Sequence, residues 1–552
     1  IISGLHISLL GMGLYRLLRK RLHTQYVTAA LATTVFLISY AVLSGNGVST
    51  QRAVGMCLIY LFADVTGYAY DMLNALGIVV LVLLWENPFL LSYSGFVFSV
   101  MAVIAIGVGA NVLLEWEHSW KCRQQAGEET IKKTFFSRQK EGILVSFAIQ
   151  LFTIPLVAYS YYEIPVYAML INLFVLAVVN GLLGLTVLGV IVGMAFLPAG
   201  RVLFAPCGWM LDSYRFLCEV SLKIPGAQRI TGKPAHMRIF WYYLGLGVFL
   251  LAIYACARRN EKHKDCRETA DLCVSRRKKR LQGIVFSCFI AFLLLFLLFP
   301  QKKSFEIDFL DVGQGDGIYL CTSGGTSMFI DGGSTDVKQV GKYRILPFLK
   351  AKGVSEISYW FVSHTDTDHV SGLKEVLVSG YRVEYLVFAK AVEKEAKTKE
   401  LAELARSHGT KVFYMQAGDT VRSKRAAMRC LYPKAADKAE DVNDLCLVLQ
   451  FEEGDISALF GGDISTDVEE QLIRRRKWDK VLVFKADHHG SRYANAEALL
   501  KCIRPEITVA SAGKDNRYGH PSPDAVQRIK ESGSRFFCTI EGGRIRVRVI
   551  EN

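Results

Sequence analysis

Apolar residues are distributed unevenly along the 552-residue chain, and this unevenness divides it into two parts. Up to roughly residue 300, long apolar runs follow one another with short polar breaks between them. Beyond that point, alternating and mixed segments succeed each other as strands and helices do in an α/β protein. Apolar runs of about 18 residues or more are candidates for membrane spans. The pattern predicts a polytopic α-helical membrane domain over 1–300 and an α/β domain over 304–552.

The first part contains about ten candidate spans. Several are short or include glycine, proline or polar residues, which is typical of helices that are broken or buried in protein. The candidates cover 1–17, 26–44, 52–67, 72–86, 90–114, 141–159, 163–180, 181–198, 239–257 and 283–300.

Basic residues between these spans orient the membrane domain. The segment 258–281 contains ten Lys and Arg residues, and 121–140 is also basic. Such segments favour the cytoplasmic side. The last span then runs from the inside to the outside, which places 304–552 on the outer face of the cell membrane. In this scheme 199–238 is external, and its amphipathic pattern predicts an interfacial or re-entrant helix.

Charge and cysteine content narrow the possible partners. The formal net charge of +14 is mostly explained by the orienting segments, although it also suits a nucleic-acid partner. The 13 cysteines show no paired CxxC spacing, so we expect neither a cysteine zinc site nor disulfides. Polar residues inside spans are costly, and we therefore consider His6 and Arg52 as pathway candidates. The alternative for His6 is a hydrogen bond to a neighbouring helix.

The strongest chemical signal follows the apolar strand predicted over 357–362. His364, Asp366, Asp368 and His369 lie within six positions. Carboxylates this close repel each other unless a cation neutralises them, and His and Asp are ligands for divalent metals. We therefore predict metal ligands at all four positions.

Three further polar positions lie downstream. Asp463 follows the strand predicted over 457–460, and His488 follows the strand predicted over 481–484. Short side chains at strand ends can converge on one point, so we add both to the predicted metal ligands. His520 belongs to a polar loop that ends at Pro521, and we place it with Asp366 and Asp368 as a catalytic candidate.

Several basic residues are candidate contacts to phosphate groups. A solvated helix face is the alternative interpretation of the arginine run among them. The candidates are Arg474, Arg475, Arg476, Lys477, Lys485 and Arg492.

Motifs in the first part resemble the competence domain of ComEC-type DNA-internalisation proteins. Ser3-Gly4-Leu5-His6-Ile7 is similar to the opening motif of that domain, and Ser49-Thr50-Gln51-Arg52-Ala53 is similar to its SxxRA motif. A third motif, an NP pair followed by GFxLS, resembles 87–88 and 94–99. Their order and spacing together are more specific than any one of them.

The second part resembles the metallo-β-lactamase superfamily, whose signature is HxHxDH. Asp366 stands where the signature has its second histidine, as in the ComEC-type branch. The segments 309–316, 443–449, 460–464 and 488–491 are also similar to motifs of that branch. The resemblance implies an αββα sandwich and two divalent metal ions, and an aspartate in place of histidine makes Mn²⁺ a rival to Zn²⁺. No residue matches the third-motif histidine clearly, and Asn443 is the nearest candidate.

Together, the two resemblances imply DNA uptake in natural transformation. A membrane channel would import single-stranded DNA, while an external nuclease domain degrades the other strand of the incoming duplex. Expected partners are DNA, the membrane and other competence proteins. Two alternatives remain: a membrane-tethered metallo-hydrolase acting on a small or cell-wall ester, and a DNA channel with a non-catalytic outer domain. The resemblance also implies a DNA-binding domain upstream of Ile1, so we expect the chain to be N-terminally incomplete.

Overall fold

Long helices make up the first unit of the protein, which extends to Phe299. The structure, a computed structural model, describes residues 4–119, 135–262, 272–299, 304–439 and 441–549. A helix satisfies its backbone hydrogen bonds internally, which is what long apolar segments require. The helical segments are Gly4–Lys20, Tyr26–Leu43, Val48–Thr66, Met72–Glu86, Pro88–Ser92, Ser94–His118, Phe135–Tyr161, Ala168–Ala195, Leu197–Lys223, His236–Lys262 and Leu272–Leu298.

Among the described residues, five helices are long and apolar enough to cross a membrane, judged by length and composition. Met72–Glu86 and Gly181–Ala195 are shorter apolar stretches. This confirms the predicted helical membrane domain, while the number of about ten spans stays a prediction. The five are Tyr26–Leu43, Ser94–His118, Lys140–Tyr161, His236–Asn260 and Arg277–Leu298.

The region after Tyr162 differs from the sequence-based expectation. The two spans predicted over 163–180 and 181–198 are wrong as separate helices, because one helix, Ala168–Ala195, runs through both. No proline lies within Ala168–Ala195, and its glycines keep their backbone hydrogen bonds, so the helix continues.

A second long helix, Leu197–Lys223, begins two residues after Ala195 and packs along the first. An added Cβ at Gly200 would lie 2.5 Å from the Cα atom of Gly193, so the two backbones touch there. The segments that flank this helix pair also meet, because Glu163–Pro165 pairs with Gln228–Ile230 as antiparallel strands.

Two seven-stranded mixed sheets form the centre of the second unit, Pro300–Asn552. In spatial order, the first contains Ile545–Arg548, Glu306–Phe309, Gly317–Cys321, Ser327–Asp331, Glu356–Phe361, Arg382–Ala389 and Lys411–Met415. The second contains Arg535–Cys538, Ile507–Ala510, Val483–Lys485, Ile456–Phe460, Val448–Glu453, Ala426–Tyr432 and Thr420–Ser423. The longer helices are Leu346–Ala351, Thr367–Val378, Ala396–Ser407, Thr466–Arg475, Glu497–Ile503 and Pro523–Glu531.

Three apolar clusters define four layers in this unit. The central cluster joins the sheets, with Phe309 and Phe361 from the first sheet and Phe451 and Phe460 from the second. A second cluster packs helices onto the outer face of the first sheet, and a third does so on the second sheet. The inner strands of each sheet bury both faces, which explains why strands such as Gly317–Cys321 and Ile456–Phe460 are mostly apolar. The predicted αββα sandwich is confirmed.

Two parallel strand pairs, one in each sheet, deliver polar residues from their carboxyl ends. In the first sheet, Ser327–Asp331 pairs with Glu356–Phe361, and in the second, Ile456–Phe460 pairs with Val483–Lys485. Asp331 and Lys485 are the last residues of their strands, while His364 and Asp463 follow theirs by three positions.

Glycines let these loops approach each other closely. Gly315 has a φ of +148°, and an added Cβ would lie 2.4 Å from the Asp368 carbonyl oxygen. A Cβ at Gly333 would lie 2.5 Å from the backbone nitrogen of His369. A side chain at either position would push the start of helix Thr367–Val378 away from the loops.

Candidate metal centre

Three imidazole nitrogens converge on one carboxylate oxygen, Oδ2 of Asp463. The Nε2 atom lies 3.4 Å from this oxygen in His369, 3.3 Å in His489 and 3.8 Å in His488. His369, His489 and Asp463 are almost completely buried. Since several nitrogen and oxygen donors surround one small volume, the arrangement suits a cation.

Asp331 orients the imidazole of His369. Its Oδ2 atom lies 3.0 Å from His369 Nδ1, and the same carboxylate accepts hydrogen bonds from the backbone and hydroxyl of Ser363, both at 2.8 Å. A carboxylate on one ring nitrogen aims the other nitrogen at the metal in many protein sites. His369 Nε2 therefore faces Asp463.

His364 is held by a different neighbour. Its Nδ1 atom lies 3.4 Å from the Cys446 sulfur and 3.1 Å from the Ser363 hydroxyl. Burial and the nearby His369 lower the pKa of His364 to about 4, so its ring is neutral at neutral pH. Burial raises the pKa of the Cys446 thiol. A neutral imidazole is the form that binds metals.

Lys485 is buried inside this cluster, which contradicts its predicted role as a phosphate contact. Its side chain and that of Asp316 are each 1% exposed, and Nζ lies 2.5 Å from Asp316 Oδ2 and 3.7 Å from Asp463 Oδ1. Burial opposes the charge of Lys485, but Asp316 and Asp463 outweigh it and raise the pKa of the ammonium group. Lys485, although it is basic and ends a strand, therefore forms ion pairs inside the protein.

Several buried ligand atoms make no hydrogen bond within the described part of the protein, which suits the binding of a metal ion. Among the described residues, His369 Nε2, His489 Nε2 and Asp463 Oδ1 have no hydrogen-bond partner. Burial opposes protonation of both rings, yet Asp463, together with Asp331 at His369 and Asp316 at His489, outweighs it and raises the pKa of both. The cluster thus attracts positive charge. Two groups of ligand atoms lie within 4.8 Å of one another: Asp316, His369, Asp463 and His489, and His364, Asp368 and His369.

The two aspartates of the HxDxDH motif occupy different surroundings. Asp368 lies in the first turn of helix Thr367–Val378, with Oδ2 3.7 Å from His489 Nε2. Asp366 precedes that helix, is 44% exposed, and pairs with Lys397 at 2.9 Å. Its other oxygen lies 4.0 Å from His364 Nε2. Asp366 thus lies at the edge of the cluster, outside both ligand groups.

A cleft of about 320 Å³ opens over the cluster. His488, with 34% of its side chain exposed, and His520 face it, and their ring centroids lie 5.4 Å apart. Burial and the neighbouring His489 lower the pKa of His520 to about 4. The cleft is lined by Gln314, Thr335, His364, Asp366, Thr367, Asp368, Asn443, Asp463, His488, His489, Tyr518 and His520.

The predicted arginine contacts lie outside this cleft. Arg474 pairs with Glu470 one turn earlier, at 2.9 Å, and Arg475 lies 3.3 Å from Asp437. Arg476 donates to the side chain of Gln450. These contacts favour the alternative interpretation of the arginine run, which is a solvated helix face. Arg492 is exposed in the loop after the histidine pair.

Both pathway candidates lie in the helical unit. Arg52 is buried in helix Val48–Thr66. His6 belongs to helix Gly4–Lys20, and its side chain lies outside the described residues.

Sequence reasoning did not place four residues in the cluster: Asp316, Asp331 and His489 were not proposed as site residues, and Lys485 was assigned a different role. Asp316 and His489 belong to segments whose resemblance was noted, but spacing did not say which side chains point inward. His488 and His489 both have positive φ, 48° and 54°, so their directions do not follow a regular pattern. Lys485 and Asp331 could be identified only through partners far away in the sequence.

Comparisons with known proteins agree over nearly the whole chain. Residues 2–255 match the family model described as Competence protein. ComE operon protein 3 of Bacillus subtilis is 26% identical over 565 residues, which covers 99% of this chain and 67% of that protein. Recombination protein 2 of Haemophilus influenzae is 24% identical over 590 residues, covering 100% of this chain and 68% of that protein.

Solved structures were also matched. The metallo-β-lactamase fold protein YhfI from Bacillus subtilis has a TM-score of 0.32 and 10% identity, covering 44% of this chain and 100% of that chain. Zn²⁺-bound PqqB from Methylobacterium extorquens has a TM-score of 0.30 and 10% identity, covering 43% of this chain and 88% of that chain.

Proposed function

We propose that this chain takes part in DNA uptake during natural transformation, because residues 2–255 match the family model described as Competence protein and ComE operon protein 3 aligns with 99% of the chain. In this proposal, the helical unit conducts one DNA strand across the cell membrane. The second unit is a metal-dependent hydrolase that cleaves phosphodiester bonds of the other strand. The observation that carries the hydrolase proposal is the convergence of His369, His488 and His489 on Asp463 Oδ2.

The proposed metal ligands are His364, Asp366, Asp368, His369, Asp463 and His488 from the sequence, together with Asp316 and His489. Two divalent ions, Zn²⁺ or Mn²⁺, would activate water and stabilise the charge of the leaving oxygen. Asp331 would keep the ring of His369 in place. His369 belongs to both ligand groups and would connect them, while Asp463 Oδ2 faces His369 and His489 within the first group.

Asp368, Asp366 and His520 are the proposed catalytic residues around the substrate. Neutral His520 faces the cleft and could accept or donate a proton there. Asp366 would exchange its pairing with Lys397 for the metal or the substrate.

We propose that the second unit lies outside the cytoplasm. The pairing of Glu163–Pro165 with Gln228–Ile230 supports this orientation, because both segments must then lie on one side of the membrane. The helix pair between them therefore crosses an even number of times. With the basic segment 258–281 inside, helix Leu272–Leu298 leads outwards.

Cleavage of DNA by the purified full chain tests the hydrolase proposal. With Mn²⁺ and 5′-labelled single-stranded DNA, we expect fragments from the wild type and at least about a hundredfold less product from Asp463→Asn. Arg382→Gln is the matched control, because Arg382 is exposed, pairs with Glu356 and does not line the cleft. Undiminished cleavage by Asp463→Asn would disprove the site.

Complementation tests the role in uptake. The full chain is expressed in a competent strain that lacks its own competence protein, and transformants are counted. We expect transformation to be restored. If expressed, membrane-inserted protein restores none, the proposed function is wrong.

A further inference from the structure

Three sequence motifs of the helical unit meet at a cavity of about 730 Å³. Gly4 comes from the first motif, Arg52 from the second and Ser99 from the third. Arg52 Nε donates a hydrogen bond of 2.7 Å to the Ser99 hydroxyl. An added Cβ at Gly4 would lie 2.7 Å from Arg52 Nη2, so a glycine leaves room for the guanidinium group. The motifs therefore build one site around Arg52.

The charge of Arg52 is buried without an acidic partner. The residue is 6% exposed, and its Nη1 atom contacts the Met56 sulfur at 3.1 Å. Among the described residues, Nη2 has no hydrogen-bond partner, and no carboxylate lies within ion-pair distance of the guanidinium group. A buried charge is costly unless a counter-charge accompanies it. The cavity therefore suits an anion.

The acidic residues of this region are engaged elsewhere. Asp64 accepts a hydrogen bond of 2.5 Å from the Tyr15 hydroxyl. Asp71 caps helix Met72–Glu86 by accepting from the Asn74 backbone at 2.7 Å. Neither lines the cavity, and none of the described lining residues is acidic.

The other residues that line the cavity include a second arginine, three aromatic side chains and a methionine. Arg16 lies at the exposed edge of the cavity, and Tyr60 and Tyr70 face each other edge to face with centroids 5.3 Å apart. Phe98 and Met12 add apolar surface. Aromatic side chains beside cationic groups are typical of sites that bind single-stranded nucleic acid without sequence preference.

We propose that this cavity binds single-stranded DNA, with Arg52 contacting a phosphodiester group and Tyr60, Tyr70 and Phe98 contacting a base. The inference rests on the proposed role in DNA uptake and assigns a place on the strand's path. Guanidinium offers paired donors that match two phosphate oxygens. The volume of about 730 Å³ is in the range of sites that enclose a small ligand.

Photocrosslinking from inside the cavity tests the proposal. Phe98 is replaced by p-benzoylphenylalanine in the full chain, which is inserted into lipid nanodiscs and exposed to a ³²P-labelled 30-nucleotide strand. We expect a DNA adduct with the phosphodiester strand and little with a methylphosphonate strand of the same sequence. Arg52→Gln should lower the adduct about tenfold or more, because a hydrogen bond to a charged group is lost.

Two further variants separate a binding role from a folding role. Arg52→Lys keeps the charge and should retain more adduct than Arg52→Gln. Arg201→Gln changes an exposed arginine that does not line the cavity and should leave the adduct unchanged. Equal adduct in the wild type and Arg52→Gln, equal adduct with the uncharged strand, equal loss in Arg52→Lys and Arg52→Gln, or adducts to phospholipid alone would overturn the proposal.

Transformation counts distinguish this failure from failure of the proposed function. If the wild type restores transformation and Arg52→Gln restores it equally, the cavity assignment is wrong while the role in uptake stands. If the wild type itself restores none, the proposed function fails.

Discussion

The buried pair of Lys485 and Asp316 permits a quantitative prediction about stability. Both side chains are 1% exposed, and their charged atoms lie 2.5 Å apart. Lys485→Met would leave the Asp316 carboxylate buried without its closest cation. Removing one partner of a buried ion pair costs about 3–5 kcal/mol of unfolding free energy. For a unit of this size, each kcal/mol lowers Tm by about 2–4 °C, so we expect a drop of roughly 6–20 °C.

The measurement is thermal unfolding of the full chain in detergent and EDTA. Unfolding of the second unit is detected by its susceptibility to proteolysis at each temperature. The chelator removes any contribution from bound metal. Lys374→Met is the matched control, because Lys374 forms an exposed pair with Glu400 at 3.2 Å. An exposed pair contributes about 0–1 kcal/mol, so this variant should unfold near the wild type.

A second substitution tests whether the loss comes from the unpaired carboxylate. In Lys485→Met with Asp316→Asn, the buried charge is gone, and we expect at least about 2 kcal/mol of the loss to be recovered. The reasoning is refuted if Lys485→Met unfolds within about 1 kcal/mol of Lys374→Met, or if the double variant is less stable than Lys485→Met alone.

Three further outcomes are expected. Asp463→Asn should reduce the metal content of the purified chain, measured by mass spectrometry, because two buried imidazoles face that carboxylate; unchanged content would contradict the site. Cys446→Ser should keep a polar contact to His364, whereas Cys446→Val should weaken metal affinity about 10–100-fold; equal affinities would show that the contact is unimportant. Reporter tags at 163–165 and 228–230 should be labelled from the same side of the membrane; labelling from opposite sides would exclude their pairing in the membrane.

The resemblance to the competence family, deduced from short motifs, is confirmed by the family match over residues 2–255. The αββα sandwich was implied by the resemblance to the metallo-β-lactamase superfamily, and alternating strand and helix segments are compatible with two sheets covered by helices. The helix pair after Tyr162 was not predictable. Hydropathy marks apolar segments but does not show where an apolar helix ends, so Ala168–Ala195 was divided and the start of Leu197–Lys223 was missed.

At the site, the sequence by itself determined the chemistry. His364 and Asp463 follow strands, and Asp368 and His369 begin the helix after His364. Few structural roles explain this spacing, and the fold brings the four residues together. Only the tertiary structure decided which side chains contact one another in the site. Whether His488 or His489 turns inward depends on two left-handed backbone positions, which residue spacing does not encode.

The same limit applies to the isolated basic residues. Lys485 and Arg52 were both candidates for phosphate contacts or the DNA pathway, and their sequence neighbourhoods do not distinguish them. Lys485 lies against Asp316, 169 positions away, whereas Arg52 has no acidic partner among the described residues. Whether a basic side chain pairs with an acidic residue or is available to a ligand depends on its neighbours in the folded structure. The reason is that Coulomb energy depends on distance and burial, not on position in the sequence.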